Sequence, residues 1–452
     1  MNNPRQLALV ALRAIQRGAF ADAALDRVLT KSDLAPADRR LLTELVYGCT
    51  RQQRTLDALI DQLARKPAQQ QPLDLRLLLH LGFYQLRYLN HIPPSAAVNT
   101  TVNLAKANKL GGLAGVINGI LRQYLRLAEQ TPEPLKLPAE PIALLGQRYS
   151  YPDWLVALWL EQLGEEETEA LCRWLNQAPS LDLRVNRLKV EVETVMAALQ
   201  TAGLKVSRVP LVPQALRLNG PTGPIPSLPG FEAGWWTVQD SSAQLVSQLL
   251  DPQPGELVID ACAGVGGKTT HLAELMGDRG TIWACDRAPR RLKKLEANCC
   301  RLGLQSIQTC QADSTNLEDF ANQADCVLVD APCSSLGTLH RRADARWRQT
   351  PDSLAALPNL QGELLERAAS WVKPGGILVY ATCSLTIPEN AGAIQHFLSH
   401  HADWQLVPPP EHFPSEIPQT ATGCLEIWPH RHDMDGFFMA RLQRASQTDN
   451  ER

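Results

Sequence analysis

A short apolar run, Leu257–Ile259, ends in Asp260 and passes at once into Ala261, Cys262, Ala263, Gly264, Val265, Gly266, Gly267 and Lys268. Glycine lets a backbone turn sharply and approach a ligand closely. A strand that opens through such a loop onto a helix is the first step of a doubly wound α/β unit. The pattern then repeats. Thr281–Ala284, Cys326–Val329 and Ile377–Tyr380 are further β-rich runs separated by stretches of helical periodicity, and Phe437–Ala440 supplies a last strand. Such alternation predicts a largely parallel sheet covered by helices, a Rossmann-like α/β domain over residues 235–445.

Three ligand classes compete for the glycine loop. A P-loop needs glycine five residues before Gly267, where Cys262 stands, so a nucleoside triphosphate does not fit. A dinucleotide fingerprint has its first two glycines in Gly264 and Gly266, but Thr269 replaces the third. The acidic strand end at Asp260 favours a ligand with positive charge near the glycines. S-adenosylmethionine carries a sulfonium and an ammonium there, whereas a pyrophosphate would be repelled. Asp286, twenty residues after Gly266, can accept from ribose hydroxyls, and Asp313, after the expected third strand, from an adenine amino group. Either carboxylate alone could simply cap a helix. With the glycine loop they favour an adenosyl site over simple helix caps.

The fourth and fifth strands lead into Asp330-Ala331-Pro332-Cys333-Ser334 and Thr382-Cys383-Ser384. Ligands in open α/β sheets sit outside the carboxyl ends of strands, and these two strands are expected to be neighbours, so both cysteines should face one pocket. Carbon 5 of cytosine is too poor a nucleophile to take a methyl group directly. A thiolate adding to C6 makes C5 enamine-like, after which the C5 proton must be removed and the thiol expelled; cysteine suits that addition. Asp330 can protonate or hydrogen-bond N3 as the ring accepts charge, and Lys268 can contact the base and favour a thiolate. The plainer alternative is that each cysteine is a packing residue at a strand end. Two such sequences downstream of a methyl-donor loop argue for chemistry instead. Candidate catalytic residues are therefore Cys383, Cys333, Asp330 and Lys268.

Residues 5–127 read as nearly all helix. Leu41, Leu42, Leu45 and Val46, then Leu56, Leu59, Ile60 and Leu63, recur at helical spacing, and Leu77–Leu89 is apolar nearly all round, as a central helix would be. Pro93-Pro94 ends it, with Ser95 the expected N-cap of the next helix. Residues 1–130 hold 17 Lys+Arg against 9 Asp+Glu, and the remainder 27 against 38. A basic front joined to an acidic remainder suggests a polyanion partner, although solvated helix faces also collect arginine. A proline-rich linker (131–144) follows, then a mixed segment (145–234) with helices near Trp154–Leu163 and Glu166–Asn176 and a strand at Leu181–Val185. The 11 cysteines are odd in number and never spaced Cys-x-x-Cys, against both a zinc site and a disulfide framework, so no metal is expected. No apolar run approaches a membrane span and Met1–Arg5 has no signal-peptide core, so a cytoplasmic protein without a membrane partner is expected.

Together these motifs resemble the RNA 5-methylcytosine methyltransferase family. The resemblance implies that Cys383 is the nucleophile and that Cys333 assists release of the methylated base. DNA cytosine methyltransferases use the Pro-Cys cysteine as nucleophile, so a second cysteine in Thr-Cys-Ser points to RNA. It also carries cofactor roles to Cys262, Ala263, Gly264, Val265, Gly266, Gly267, Lys268, Asp286, Asp313 and Asp330. Val265 stands where the family usually has proline, which alters loop rigidity and leaves the assignment in place. Leu183-Arg184-Val185-Asn186, Gln239-Asp240-Ser241-Ser242-Ala243, and His432 through Asp435-Gly436-Phe437-Phe438 match other family segments.

At the front, Val98-Asn99, Ala105-Lys106-Ala107 and Val116–Arg122 resemble a NusB-type RNA-binding domain. A NusB-like bundle joined to this catalytic domain is similar to the bacterial 16S rRNA cytosine methyltransferases of the RsmB/Sun (Fmu) family. The likeness implies a multidomain chain: an all-α NusB-like bundle (1–130), a small α+β RNA-binding subdomain (145–234) and a methyltransferase domain (235–445). Its cofactor would be S-adenosyl-L-methionine and its partner RNA, 16S rRNA foremost. The catalytic motifs do not encode the substrate, so a tRNA methyltransferase is the rival enzyme. A non-catalytic RNA-binding scaffold is the rival from another class.

Overall fold

The computed structural model describes residues 3–446; Met1, Asn2 and residues 447–452 lie outside the described residues. The chain forms two compact units, Met1–Gln177 with Leu339–Arg348, and Ala178–Thr338 with Gln349–Arg452.

The first unit is helical: α1 (Pro4–Gln16), α2 (Ala21–Thr30), α3 (Pro36–Arg51), α4 (Gln53–Leu63), α5 (Leu73–Tyr88), α6 (Pro94–Ala107), α7 (Ala114–Gln130), α8 (Pro141–Tyr149) and α9 (Asp153–Trp174). Helix α5 is its centre, buried without a break from Leu77 to Gln85, as its all-round apolar pattern predicts. Gly48 on α3 lets Tyr84 pack close: a Cβ there would lie 2.0 Å from the ring. The capping expectation fails at Ser95. Pro94 presets the first helical φ, so the helix begins one residue early, Pro93 is the N-cap, and Ser95 is already inside. The two helices expected in 154–176 are the two halves of α9, which meet at a non-helical Gly164 (φ 75°, ψ 178°). The compact division sets residues 145–177 among the helices.

The same unit includes Leu339–Arg348, which ends in a short helix, α14 (Ala345–Arg348). Arg346 is fully buried there. It donates to Asn176 Oδ1 (2.8 Å) and the Ser150 carbonyl (3.2 Å), and stacks 4.1 Å over the Tyr151 ring. Trp347 Nε1 donates to the Thr50 carbonyl at 2.6 Å.

The second unit holds two sheets. A four-stranded antiparallel sheet has the order β2-β3-β1-β4, from β1 (Leu181–Val185), β2 (Lys205–Arg208), β3 (Ala215–Asn219) and β4 (Trp236–Val238), with helix α10 (Val192–Thr201). The larger sheet is β10-β12-β9-β8-β5-β6-β7, with β11 paired to β12. Its members are β5 (Leu257–Asp260), β6 (Thr281–Cys285), β7 (Ile307–Cys310), β8 (Ala324–Asp330), β9 (Val372–Thr382), β10 (Trp404–Leu406), β11 (Leu425–Ile427) and β12 (Phe437–Arg444). Strands β5 to β9 run parallel, and β12 is antiparallel to β9. Helices α11 (Ser241–Leu250), α12 (Gly267–Leu275), α13 (Pro289–Leu302), α15 (Pro351–Trp371) and α16 (Ala391–His400) accompany it, with a turn of helix, α17, at Pro429–His432.

Both faces of the large sheet are covered. Along β8, Cys326 and Leu328 join one core, with Val258, Leu272 and Met439, while Val327 and Val329 join the other, with Leu364, Tyr380 and Phe438. This is why the strands read as apolar runs rather than as alternating ones. Strand β9 begins before Ile377, because Val372 already pairs with Ala324. Lys373-Pro374-Gly375-Gly376 form an irregularity before Ile377 pairs with Cys326.

Candidate active site at the carboxyl ends of the central strands

The strand order reverses between β5 and β8, and at such a switch point the loops after neighbouring strands diverge and leave a crevice. The glycine loop lies there. Gly264 and Gly266 have φ of 58° and 87°, and a Cβ on Gly266 would come 2.6 Å from Leu295 Cγ on α13. Gly266 caps α12, whose first turn carries Lys268.

Three carboxylates surround the loop. Asp260 is buried, takes hydrogen bonds from Thr269 Oγ1 (2.7 Å) and the Cys262 amide (3.2 Å), and is pushed up to about 6 by burial. Asp286 directly follows β6 and accepts from the Gly264 amide (3.1 Å) and the Ala288 amide (2.7 Å), tying the loop to that strand. Asp330 ends β8. Burial, then Asp260, Asp330 and Asp286, raise the Cys262 thiol. Such a loop suits a cationic ligand and opposes a pyrophosphate. Asp313 lies after β7, exposed, and its Oδ1 caps a turn through the Thr315 amide (3.1 Å) and hydroxyl (2.8 Å), which lower its pKa.

Lys268 reaches Asp330 Oδ2 at 2.7 Å and lies 4.9 Å over the Phe437 ring. Burial disfavours its charge, but Asp330 outweighs that and holds the ammonium above its usual range, with the Cys383 sulfur adding to the effect. Parallel pairing of β8 and β9 brings Cys333 and Cys383 together, their sulfurs 3.3 Å apart. The Cys333 thiol is held well above its usual range by its hydrogen bond with Cys383, then by burial and the Glu389 carboxylate. All four candidate catalytic side chains thus stand at or just beyond the ends of β8 and β9 and on the first turn of α12.

Two groups of residues escape sequence reasoning. Glu389, fully buried, accepts from the Ser334 amide, Gln361 Nε2, Ser384 Oγ and Thr386 Oγ1. Its signal is that it alone carries a formal charge between Lys373 and Asp403. Arg184 on β1, quoted above only within a matching segment, is also fully buried. It pairs with Glu274 on α12 (2.8 Å), donates to the Gly267 carbonyl (2.6 Å) and Thr270 Oγ1 (2.9 Å), and bonds Gln239. The two segments Leu183–Asn186 and Gln239–Ala243 therefore brace the helix behind the glycine loop. No group of His, Cys, Asp and Glu among the described residues could hold a metal ion.

Comparison with known proteins places this arrangement. A profile described as 16S rRNA methyltransferase RsmB/F matches residues 247–443, one for the NusB family matches 2–126, and one for a ferredoxin-like domain of RsmF/B-like methyltransferases matches 151–225. A Synechocystis protein named probable ribosomal RNA small subunit methyltransferase B is 51% identical over 98% of this chain and 100% of its own length. The chain belongs to the ribosomal RNA small subunit methyltransferase B family. A Bacillus subtilis relative, named likewise as a probable member, is 34% identical over 97% of this chain and 98% of its own. Among solved structures, PH0851 is 31% identical with a TM-score of 0.80 over 98% of this chain and 99% of its own. A methyltransferase homologue from Pyrococcus horikoshii is 29% identical with a TM-score of 0.58, over 68% of this chain and 100% of its own. Membership makes the chain a methyltransferase with a helical NusB domain, a ferredoxin-like domain and a Rossmann-like catalytic domain. No helix among the described residues is long and apolar enough to cross a membrane.

Proposed function

We propose that this protein methylates carbon 5 of a specific cytosine in 16S rRNA, through a covalent bond between Cys383 and C6 of the base. The observation that carries the reading is the pair of sulfurs, 3.3 Å apart at the ends of adjacent parallel strands. A packing role explains neither why both cysteines stay half-buried at the strand ends nor why a charged lysine–aspartate pair shares that position.

The roles follow from the chemistry. The Cys383 thiolate adds to C6, and the ring's π electrons shift toward C5 and N3. As negative charge reaches N3, a proton carried by the Lys268–Asp330 pair would be shared with that nitrogen. Lys268, whose charge senses the Cys383 sulfur, stabilises that sulfur as a thiolate. S-adenosylmethionine, when bound, supplies the electrophilic methyl group, and Cys262–Lys268, Asp286 and Asp313 would hold it. After methylation the C5 proton must go to a base. The electron pair of the broken C–H bond restores the C5–C6 double bond and expels Cys383 as thiolate. Cys333, kept as a thiol, stands in contact with that departing sulfur and serves as its proton partner. The target base must leave its stack, because addition to C6 needs a free ring face. The basic NusB domain is the natural RNA anchor.

Purified protein, small-subunit rRNA and methyl-labelled S-adenosylmethionine test the reading. Label recovered as 5-methylcytosine with wild type, and absent with Cys383→Ala, supports it. Label in tRNA but not rRNA moves the substrate while keeping the chemistry. RNA binding without label in either would leave a scaffold.

A further inference from the structure

Cys333 and Cys383 are carried in unequal ways. Cys383 directly follows β9, whose last residue, Thr382, still pairs with Phe438 of β12. Cys333 lies three residues beyond the end of β8, on a loop. The backbone on either side of it is held from outside: the Pro332 carbonyl accepts from Gln361 Nε2 of α15 at 3.0 Å, and the Ser334 amide donates to Glu389 Oε2 at 2.8 Å. Gln361 Nε2 also donates to Glu389 Oε2 at 3.0 Å. The other oxygen of the same carboxylate takes Ser384 Oγ at 2.5 Å and Thr386 Oγ1 at 2.9 Å, both on the Cys383 loop. Ser334 Oγ and Ser384 Oγ complete the bridge at 3.0 Å.

A buried carboxylate with four donors is costly to desolvate and is retained only where its hydrogen bonds are met. Here three of them come from Ser334 and Ser384, each beside a cysteine, and from the glutamine that grips the Cys333 loop, and the fourth comes from Thr386, three residues past Cys383. Glu389 is itself fixed, its carbonyl accepting from Tyr380 Oη at 2.7 Å, and Asn390 Oδ1 accepting from Thr382 Oγ1 at 2.6 Å.

We propose that Glu389 is a positioning residue that clamps the Cys333 loop to the Cys383 loop, so that its removal slows release of the methylated base more than formation of the covalent adduct. The proposal rests on the two-cysteine reading. Strand pairing still places Cys383 when the clamp is lost, whereas the Cys333 loop loses the hydrogen bond that fixes its amide side. A displacement of about an ångström at a reacting group lowers a rate by a factor on the order of a hundred.

Wild type, Glu389→Ala, Glu389→Gln, Ser384→Ala, Cys333→Ala and Cys383→Ala are mixed with target RNA and S-adenosylmethionine, and denaturation-resistant protein–RNA adduct is followed beside released 5-methylcytosine. Glu389→Ala should trap about tenfold more adduct than wild type, with KM for RNA changed by less than about twofold. Glu389→Gln should restore release, since its oxygen can take the Ser334 and Gln361 donors while its amide meets hydroxyls that can turn. Ser384→Ala, the variant to use if Glu389→Ala does not fold, should show the same lag in milder form. Trapping by Cys333→Ala but by neither Glu389→Ala nor Ser384→Ala overturns the proposal alone. No trapping by Cys333→Ala, or full activity of Cys383→Ala, overturns the two-cysteine reading and the proposal with it. A Glu389→Gln variant as defective as Glu389→Ala would mean that charge, not position, is what the site needs, and would also overturn it.

Discussion

Arg184 on β1 and Glu274 on α12 form an ion pair at 2.8 Å, with side chains 0% and 6% exposed. The same guanidinium donates to the carbonyl of Gly267, the first residue of the helix that follows the glycine loop. Losing one partner of such a pair strands the other charge in the interior, which costs about 3–5 kcal/mol. Arg184→Ala is expected to lower unfolding free energy by that amount in urea titrations. Replacing both, as Arg184→Met with Glu274→Leu, should recover much of it. A single variant as stable as wild type would refute the buried-pair account.

Gly266 has both a left-handed φ of 87° and no room for a Cβ beside Leu295. Gly266→Ala should therefore weaken S-adenosylmethionine binding about tenfold or more in calorimetry, given about 1–2 kcal/mol for a side chain in that backbone region. Adding Leu295→Ala clears the space but not the backbone strain, so affinity should return only in part.

Asp260 gives a pH signature. Burial raises its carboxyl to about 6, above the value of about 4 expected in the unfolded chain, so folding favours the protonated form. Its contribution is complete below about pH 4 and is lost as pH climbs through about 6, amounting to about 3 kcal/mol. Asp260→Asn, which cannot ionise, should gain stability relative to wild type between pH 4 and 7, read from melting curves. A difference that does not change with pH would exclude this carboxyl as the source.

Two sulfurs 3.3 Å apart need to close to about 2.05 Å to bond. A mild two-electron oxidant such as diamide should convert Cys333 and Cys383 to a disulfide, with loss of two protons and two electrons to the diazene. Activity should vanish and return with dithiothreitol, and peptide mapping should find the Cys333–Cys383 link. Loss of activity that the reductant cannot reverse would point to a different oxidation.

Much of this is legible in the residues because local chemistry dictates it. The glycine loop, the apolar strands and the Cys333 and Cys383 segments each announce themselves within a few positions, and parallel pairing of β8 with β9 follows from ordinary α/β topology. Other parts depend on neighbours far along the chain. Nothing near Arg184 says that its partner is Glu274, and Glu389 reads as a solvated loop charge until the fold delivers four donors to it. Ser95 misleads because a good capping residue loses to a proline already set for the first turn. Strand β9 is longer than its apolar run Ile377–Tyr380, because Pro374-Gly375-Gly376 interrupts a strand that is already under way.

The helical unit contains Leu339–Arg348, a stretch that begins six residues after Cys333. Arg346 supplies hydrogen bonds to Ser150 and Asn176 there, and Trp347 one to Thr50. A fragment ending at Gln177 would therefore keep those acceptors and lose the side chains that meet them. A fragment starting at Ala178 would carry a buried arginine's worth of sequence with nothing to bury it in. The helical half is not a cassette: grafting it onto another methyltransferase means transplanting the ten residues of Leu339–Arg348 as well.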